Sequence, residues 1–213
     1  MREEIFSVSL EKNPVINLNM NLGHFTTSHY HTSHYLDLNH LKTNASLAKD
    51  VAIELALPYM ANIPVDTIVC MEGTEVIGAY MAQELMQEGT SVINSGRDIN
   101  IITPITNTNR NLMFQSNKQD LVYHRDIIVL VSSVSSGTTL SSALDCLAYY
   151  GGNVVGISAL FNAYPEKQEQ DIHSLFTAED IPGYQLFKPG ECPLCKAGQK
   201  LDAIIVHDGY IRI

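Results

Sequence analysis

The sequence has no tryptophan, few basic residues and no apolar run long enough to cross a bilayer. Lysine and arginine together number 13 against 23 aspartates and glutamates, for a formal net charge of −10. That balance argues against a nucleic-acid or anionic-membrane partner, since both are held by clustered cations. It does not exclude a small anion, because backbone amides can bind one inside an acidic protein. The opening MREEIFSVSLEKN lacks the apolar middle of a signal peptide, and there are only four cysteines, so a reducing cytoplasm is expected. Fixed-period repeats and low-complexity tracts are also missing. What remains, 213 residues of which 45% are hydrophobic, suffices for one α/β domain over residues 1–213 with a sizeable core.

The stretch around which the rest is arranged is DIIVLVSSVSSGTTL, residues 126–140. Residues 127–131 are apolar and rich in β-branching, which predicts a buried strand. Ser132, Ser133, Ser135, Ser136, Gly137, Thr138 and Thr139 follow, and then a helix with Leu140, Ala143, Leu144 and Leu147 on one face, stopped by Gly151 and Gly152. Strand, small-residue loop and helix start together present backbone N–H groups and a helix dipole to a phosphate. The plainer reading is a strand–helix turn with a Ser or Thr cap and no ligand.

Elsewhere strands and helices alternate. Asn44 or Ser46 can cap a helix reaching about Met60, with Ala48, Val51, Ala52 and Leu55 on its apolar face. DTIVCM, residues 66–71, reads as a second buried strand, followed by Glu72, Gly73, Thr74, Glu75 and a helix over 76–87 ending at Gly89. A third strand is expected over 99–105, a polar loop or hairpin over 106–120, and a further strand over 153–160. The charged stretch within 163–182 suggests a short helix, and residues 184–187 a weak strand. This alternation favours a mainly parallel sheet covered on both faces, with ligands beyond the carboxyl ends of its strands.

Residues 23–40 hold His24, His29, His31, His34 and His40. Neutral imidazoles this close could bind a transition metal. Their spacing is not a standard one, so a polar hood over a site or a solvated loop is the reading taken, and no metal site is expected. Cys192 and Cys195 form one CxxC, but zinc needs four ligands and the other two cysteines lie in a buried-looking strand and helix. A structural turn is therefore preferred. Cys70 reads as core rather than nucleophile, Glu72 and Glu75 as acids at a helix start, and Arg110 equally as a phosphate clamp or a solvated loop residue.

The 126–140 unit resembles the ribose-5-phosphate motif of the type I phosphoribosyltransferases, in which an apolar strand ends in two acids and a T-G-G-T or T-A-G-T loop opens a helix. Ser136, Gly137, Thr138 and Thr139 match that loop. Over most of its length the chain is most similar to the orotate enzymes. Gly23, Phe25, Thr26, Ser33 and Tyr35 match their G-x-F-T…S-x-Y segment, residues 71–75 sit where the pyrophosphate loop lies, and ECPLCKAG resembles the CPLC-x-x-G tail of some members. The resemblance implies a type I phosphoribosyltransferase fold with a small hood from about 1–42 and 184–213.

It also implies transfer of ribose 5-phosphate from phosphoribosyl pyrophosphate to orotate or another small base, with magnesium, in a homodimer. Ser135, Ser136, Gly137, Thr138 and Thr139 would hold the phosphate, Ser132 and Ser133 would face the ribose, and Gly73, Thr74, Glu75 and Arg110 the pyrophosphate. No catalytic residue is assigned. The chain departs from the family where Ser132 and Ser133 replace the acidic pair, where Ser28 replaces a lysine, and where Glu72 and Glu75 make the pyrophosphate loop acidic. These departures motivate the alternative of a catalytically inactive protein that binds a nucleotide or phosphosugar.

Overall fold

Polarity alternates along the amino-terminal residues, and they pair with one another before the main sheet begins. The computed structural model describes residues 5–87, 93–109, 111–164, 171–206 and 209–213. Strand β1 (Ile5–Leu10) runs antiparallel to β2 (Asn13–Thr26), and β2 to β3 (His31–Asp37). Along β2, Ile16, Leu18 and Met20 alternate inward, as a half-buried strand requires.

Helix α1 (Asn39–Thr43) leads to α2 (Ala45–Ala56), whose Asn44 cap accepts from the N–H groups of Ser46 and Leu47. The β4 (Thr67–Cys70), α3 (Glu75–Met86) and β5 (Asn100–Ile102) elements follow. The expected 99–105 strand breaks at Pro104, which has no N–H for a ladder. Beyond it β6 (Ile105–Thr106) and β7 (Leu112–Met113) form a small hairpin. Gly89, the expected helix stop, lies outside the described residues.

Strand β8 (Asp126–Val134) runs three residues further than the apolar stretch predicts, because Ser133 and Val134 pair with Phe161 and Asn162 of β9 (Asn153–Asn162). Between them lies α4 (Thr138–Tyr149). Within 163–182 the described residues form a strand, β10 (Ile172–Thr177), parallel to β9 with Leu175 and Phe176 buried, and then a single helical turn over Ala178–Asp180. Residues 165–170, which carry much of the charge behind the expectation of a short helix there, lie outside the described residues.

The five strands order as β10-β9-β8-β4-β5, all parallel. On β8, Ile128 and Leu130 face α2 and α3, while Ile127, Val129 and Val131 face α4. Burial on both faces explains the uninterrupted apolar run. After β11 (Leu186–Phe187) and the single turn α5 (Pro193–Lys196), the tail adds β12 (Ala203–Val206) and β13 (Gly209–Arg212). These join the amino-terminal strands in a second sheet, ordered β11-β3-β2-β12-β13 with β1 also on β2. Both ends of the chain therefore meet in one sheet, which overlooks the carboxyl ends of the parallel strands where the loop lining and pocket residues described next are found.

Candidate functional site

The carboxyl end of β8 delivers a short loop directly into α4. Gly137 caps the helix at φ +72°, and no side chain caps it. The N–H groups of Thr138, Thr139 and Leu140 therefore open the helix without intrahelical acceptors. One local contact exists: Thr138 N–H donates to Ser136 Oγ at 3.3 Å, and that hydroxyl donates to Thr138 Oγ1 at 2.9 Å. Gly137 is required on two counts. Its φ lies in the left-handed region, and a Cβ there would stand 2.8 Å from the Tyr164 ring.

The loop lines a cavity of about 200 Å³ whose walls include Ser133, Ser135, Ser136, Thr138, Thr139 and Glu72. Thr27, Ser28 and His29, from the β2–β3 turn, form its opposite side. All five expected phosphate-side residues, Ser135 to Thr139, are thus brought together around one space. Ser132 is buried and Ser133 half-buried, both on the strand rather than in a loop. They line a second cavity of about 150 Å³ with Tyr35, Asn39, Lys42 and Glu72. Burial and the nearby Asp37 charge push the Tyr35 hydroxyl up to about 12, so it is a neutral donor at physiological pH.

Glu72 is common to both cavities. It precedes α3 rather than starting it, and its backbone is left-handed at φ 57°, with Gly73 at 78°. Its carboxylate accepts the Ser133 N–H at 3.3 Å, and its carbonyl accepts from Lys42 Nζ at 2.8 Å. A non-glycine residue in the left-handed region is uncommon. Because Glu72 lies ahead of the Thr74 cap and lines both cavities, its reading as a helix-start acid is replaced by that of a cavity wall. Glu75 does lie in the first turn of α3, where its carboxylate accepts the Thr103 hydroxyl at 2.9 Å. Thr74 is fully buried, and its hydroxyl bonds the carbonyls of Met71 and Leu130. Gly73 is exposed on this rim, and Arg110 lies outside the described residues.

Lys42 was not singled out by the sequence. It is 4% exposed, a rare state for lysine, and it places a cation beside the 150 Å³ cavity. Nothing in its polar sequence surroundings distinguishes it from a solvated helix residue. Cys70 is fully buried, and burial with the Glu75 charge pushes its thiol up to about 12, as a core residue and not a nucleophile.

The histidines separate. His29 is exposed at the mouth of the 200 Å³ cavity. His34 is buried against Tyr184, with its Nδ1 2.7 Å from Ser33 Oγ, and burial lowers its pKa. His40 belongs to α1. His24 and His31 are buried side by side where β2 and β3 meet the tail.

No protein-family model matches this sequence, and no curated protein matches it significantly. Solved structures do match. The chain superposes on the UMP synthase of Leishmania donovani with a TM-score of 0.57 at 18% identity, over 84% of this chain and 36% of that one. It therefore spans little more than a third of that protein. It superposes on the adenine phosphoribosyltransferase of Thermoanaerobacter pseudethanolicus with a TM-score of 0.51 at 14% identity, over 81% of this chain and 95% of that one. Similarity at this level is similarity of fold, and the fold is that of the phosphoribosyltransferases.

Proposed function

We propose that this chain, built on the phosphoribosyltransferase fold, binds a ribose 5-phosphate group in the 135–139 loop and transfers it from phosphoribosyl pyrophosphate to a small base such as orotate. The observation that carries the reading is the uncapped start of α4, opening onto a hydroxyl-lined cavity of about 200 Å³. A dianionic phosphate there accepts from the N–H groups at the helix mouth and from the Ser and Thr hydroxyls, and the helix dipole favours its charge.

The sugar then extends toward the neighbouring cavity, where Ser132 and Ser133 offer hydroxyls to its own. The Glu72 carboxylate faces the carbon at which positive charge develops as pyrophosphate leaves. It supplies, from another strand's loop, an anion that the two serines do not. Lys42, in the wall of that same cavity, would offer its ammonium to the departing pyrophosphate. For the acceptor, a cavity of about 90 Å³ lies between the two sheets, lined by Leu36, Phe161 and Tyr184 together with Ser133 and Ser135. Phe161 and Tyr184 already pack edge to face at 5.2 Å, a surface suited to a planar ring. The chemistry is orientation and electrostatics, with no covalent nucleophile.

Magnesium is usually held by one or two carboxylates plus substrate phosphates, keeping several waters. Glu72 with the Ser132 and Ser133 hydroxyls fits an ion that arrives with the pyrophosphate. When bound, it would neutralise charge on the departing group.

A second reading, binding of a nucleotide or phosphosugar without transfer, is favoured by one feature. Glu72 and Glu75 stand in the loop that would face pyrophosphate, and like charge there weakens its binding. Thermal unfolding with ribose 5-phosphate, and product formation from phosphoribosyl pyrophosphate, magnesium and orotate, separate the two. Ribose 5-phosphate stabilises the protein under both readings, by about 2.7 kcal/mol at a hundred times its Kd. Product appears only under the first. No stabilisation by any phosphorylated ligand would remove both.

A further inference from the structure

Four side chains from opposite ends of the chain converge in the second sheet. His24 ends up beside His31 across the β2–β3 pair, and the α5 turn brings Cys192 and Cys195 against them. Each offers one ligand atom, and all four atoms lie within 4.8 Å of one another. His24 Nε2 is 3.1 Å from His31 Nδ1, 3.4 Å from Cys192 Sγ and 3.6 Å from Cys195 Sγ, and His31 Nδ1 is 3.3 Å from Cys195 Sγ.

These separations are those of the edges of a small tetrahedron. Zinc bonds of about 2.3 Å to sulfur and 2.0–2.1 Å to nitrogen, at tetrahedral angles, set nitrogens about 3.4 Å apart and nitrogen about 3.5 Å from sulfur. We propose that His24, His31, Cys192 and Cys195 bind one zinc ion, a closed structural site that fastens the carboxyl-terminal tail to the β2–β3 hairpin.

Three further features support this site. His24 Nδ1 lies 2.9 Å from the Gln199 carbonyl, which can only accept. The proton is thereby placed on Nδ1, and the Nε2 lone pair points at the other three groups. One lone pair facing three polar atoms inside a buried space is poorly served by hydrogen bonds, whereas a cation serves all four together. The donor set is two sulfurs and two nitrogens with no carboxylate, which suits zinc over magnesium or calcium. Three of the four ligands are sequestered: His24 and Cys192 are fully buried and His31 nearly so, while Cys195 closes the set from the exposed side, and both cysteines are unbridged thiols. Four protein ligands leave no place for a reacting water, so the role is structural.

The consequence for the fold is specific. Cys192 is 168 residues from His24, so the ion closes nearly the whole chain into a loop. Beside it, Asp202 accepts the His24 N–H and donates its own N–H to the His24 carbonyl, both at 2.8 Å, and Ala203 pairs with Phe25. Beyond His24 and before His31, the hairpin turn carries Thr27, Ser28 and His29 to the wall of the 200 Å³ cavity. Zinc thus holds the tail and braces one side of that cavity.

The test is metal analysis of the full-length protein without a histidine tag, purified under reducing conditions and incubated with micromolar zinc before desalting. The proposal predicts about one zinc per chain, and Cys192→Ser plus Cys195→Ser brings it close to zero. Cobalt substitution of the wild type gives intense visible bands of a tetrahedral ion with thiolate charge transfer in the near ultraviolet. This readout needs no folded variant. Chelation lowers the melting temperature, and zinc but not magnesium restores it. Zinc that does not bind in stoichiometric amount, zinc retained by the double variant, a cobalt spectrum without thiolate bands, or a Cys192–Cys195 disulfide in the reduced preparation would each overturn it. None of these outcomes depends on a phosphorylated ligand.

Discussion

At the scale of the residue, Gly137 and Glu72 carry the candidate site. Gly137→Ala meets both a left-handed backbone and the Tyr164 ring. It is expected to cost about 1–2 kcal/mol from the backbone alone, and to remove stabilisation by ribose 5-phosphate in thermal unfolding. Ser133→Asp would introduce one acid of the pair expected from the resemblance to phosphoribosyltransferases. In this chain, however, that acid stands beside the Glu72 carboxylate, which already accepts the Ser133 N–H. The single change is therefore expected to lower stability by like-charge repulsion, and Ser133→Asp with Glu72→Gln to recover it. Denaturant midpoints of the two variants check this order. The strand, small-residue loop and helix start were legible in the sequence because an apolar run, a cluster of small residues and an amphipathic face follow one another there. Glu72 was legible only as a departure from the pattern that the resemblance implies. Its position outside the helix depends on a backbone conformation that composition does not announce.

At the scale of the element, local signals were read well and convergence of distant segments was not. Asn44 shows its role as a cap in the sequence, and its side chain accepts two N–H groups at the start of α2. Asn44→Ala is expected to destabilise the protein by about 1 kcal/mol, measured by chemical denaturation, with ligand binding unchanged. The apolar run of β8 identified the central strand, but its last residues are serines that become strand only by pairing with β9. The same limit explains β10, a strand that is made by pairing with β9 and that the sequence did not announce. The histidines and the CxxC were each visible, but apart. Two cysteines are an incomplete ligand set, and that the missing pair comes from a hairpin near the other terminus is a fact of tertiary structure.

At the scale of the whole molecule, the two sheets share a core in which several acidic hydroxyls and a thiol are buried. Tyr59 and Tyr184 are each pushed up to about 12 by burial, and Cys70 likewise with the Glu75 charge added. These groups stay protonated in the folded state where the unfolded chain, with values near 10 for tyrosine and 9 for cysteine, has begun to ionise. Their contribution to stability is complete below about pH 9 and is lost as pH rises toward about 12. Denaturant midpoints recorded from pH 8 to pH 11 should fall. Tyr59→Phe should make that fall shallower and, by leaving Ser158 without its 2.8 Å partner, lower the unfolding free energy at pH 8 by about 1–3 kcal/mol.

No helix among the described residues is long and apolar enough to cross a membrane. The proposed function assigns the rim of loops between the two sheets to a phosphorylated sugar. The most direct measurement is a crystal structure after soaking in ribose 5-phosphate. The account predicts the phosphate at the mouth of α4, within hydrogen-bond reach of the N–H groups and hydroxyls of Ser135 to Thr139, with the ribose toward Ser132 and Ser133. A saturated crystal in which that cavity holds no phosphate, or in which the sugar phosphate binds elsewhere, would contradict it.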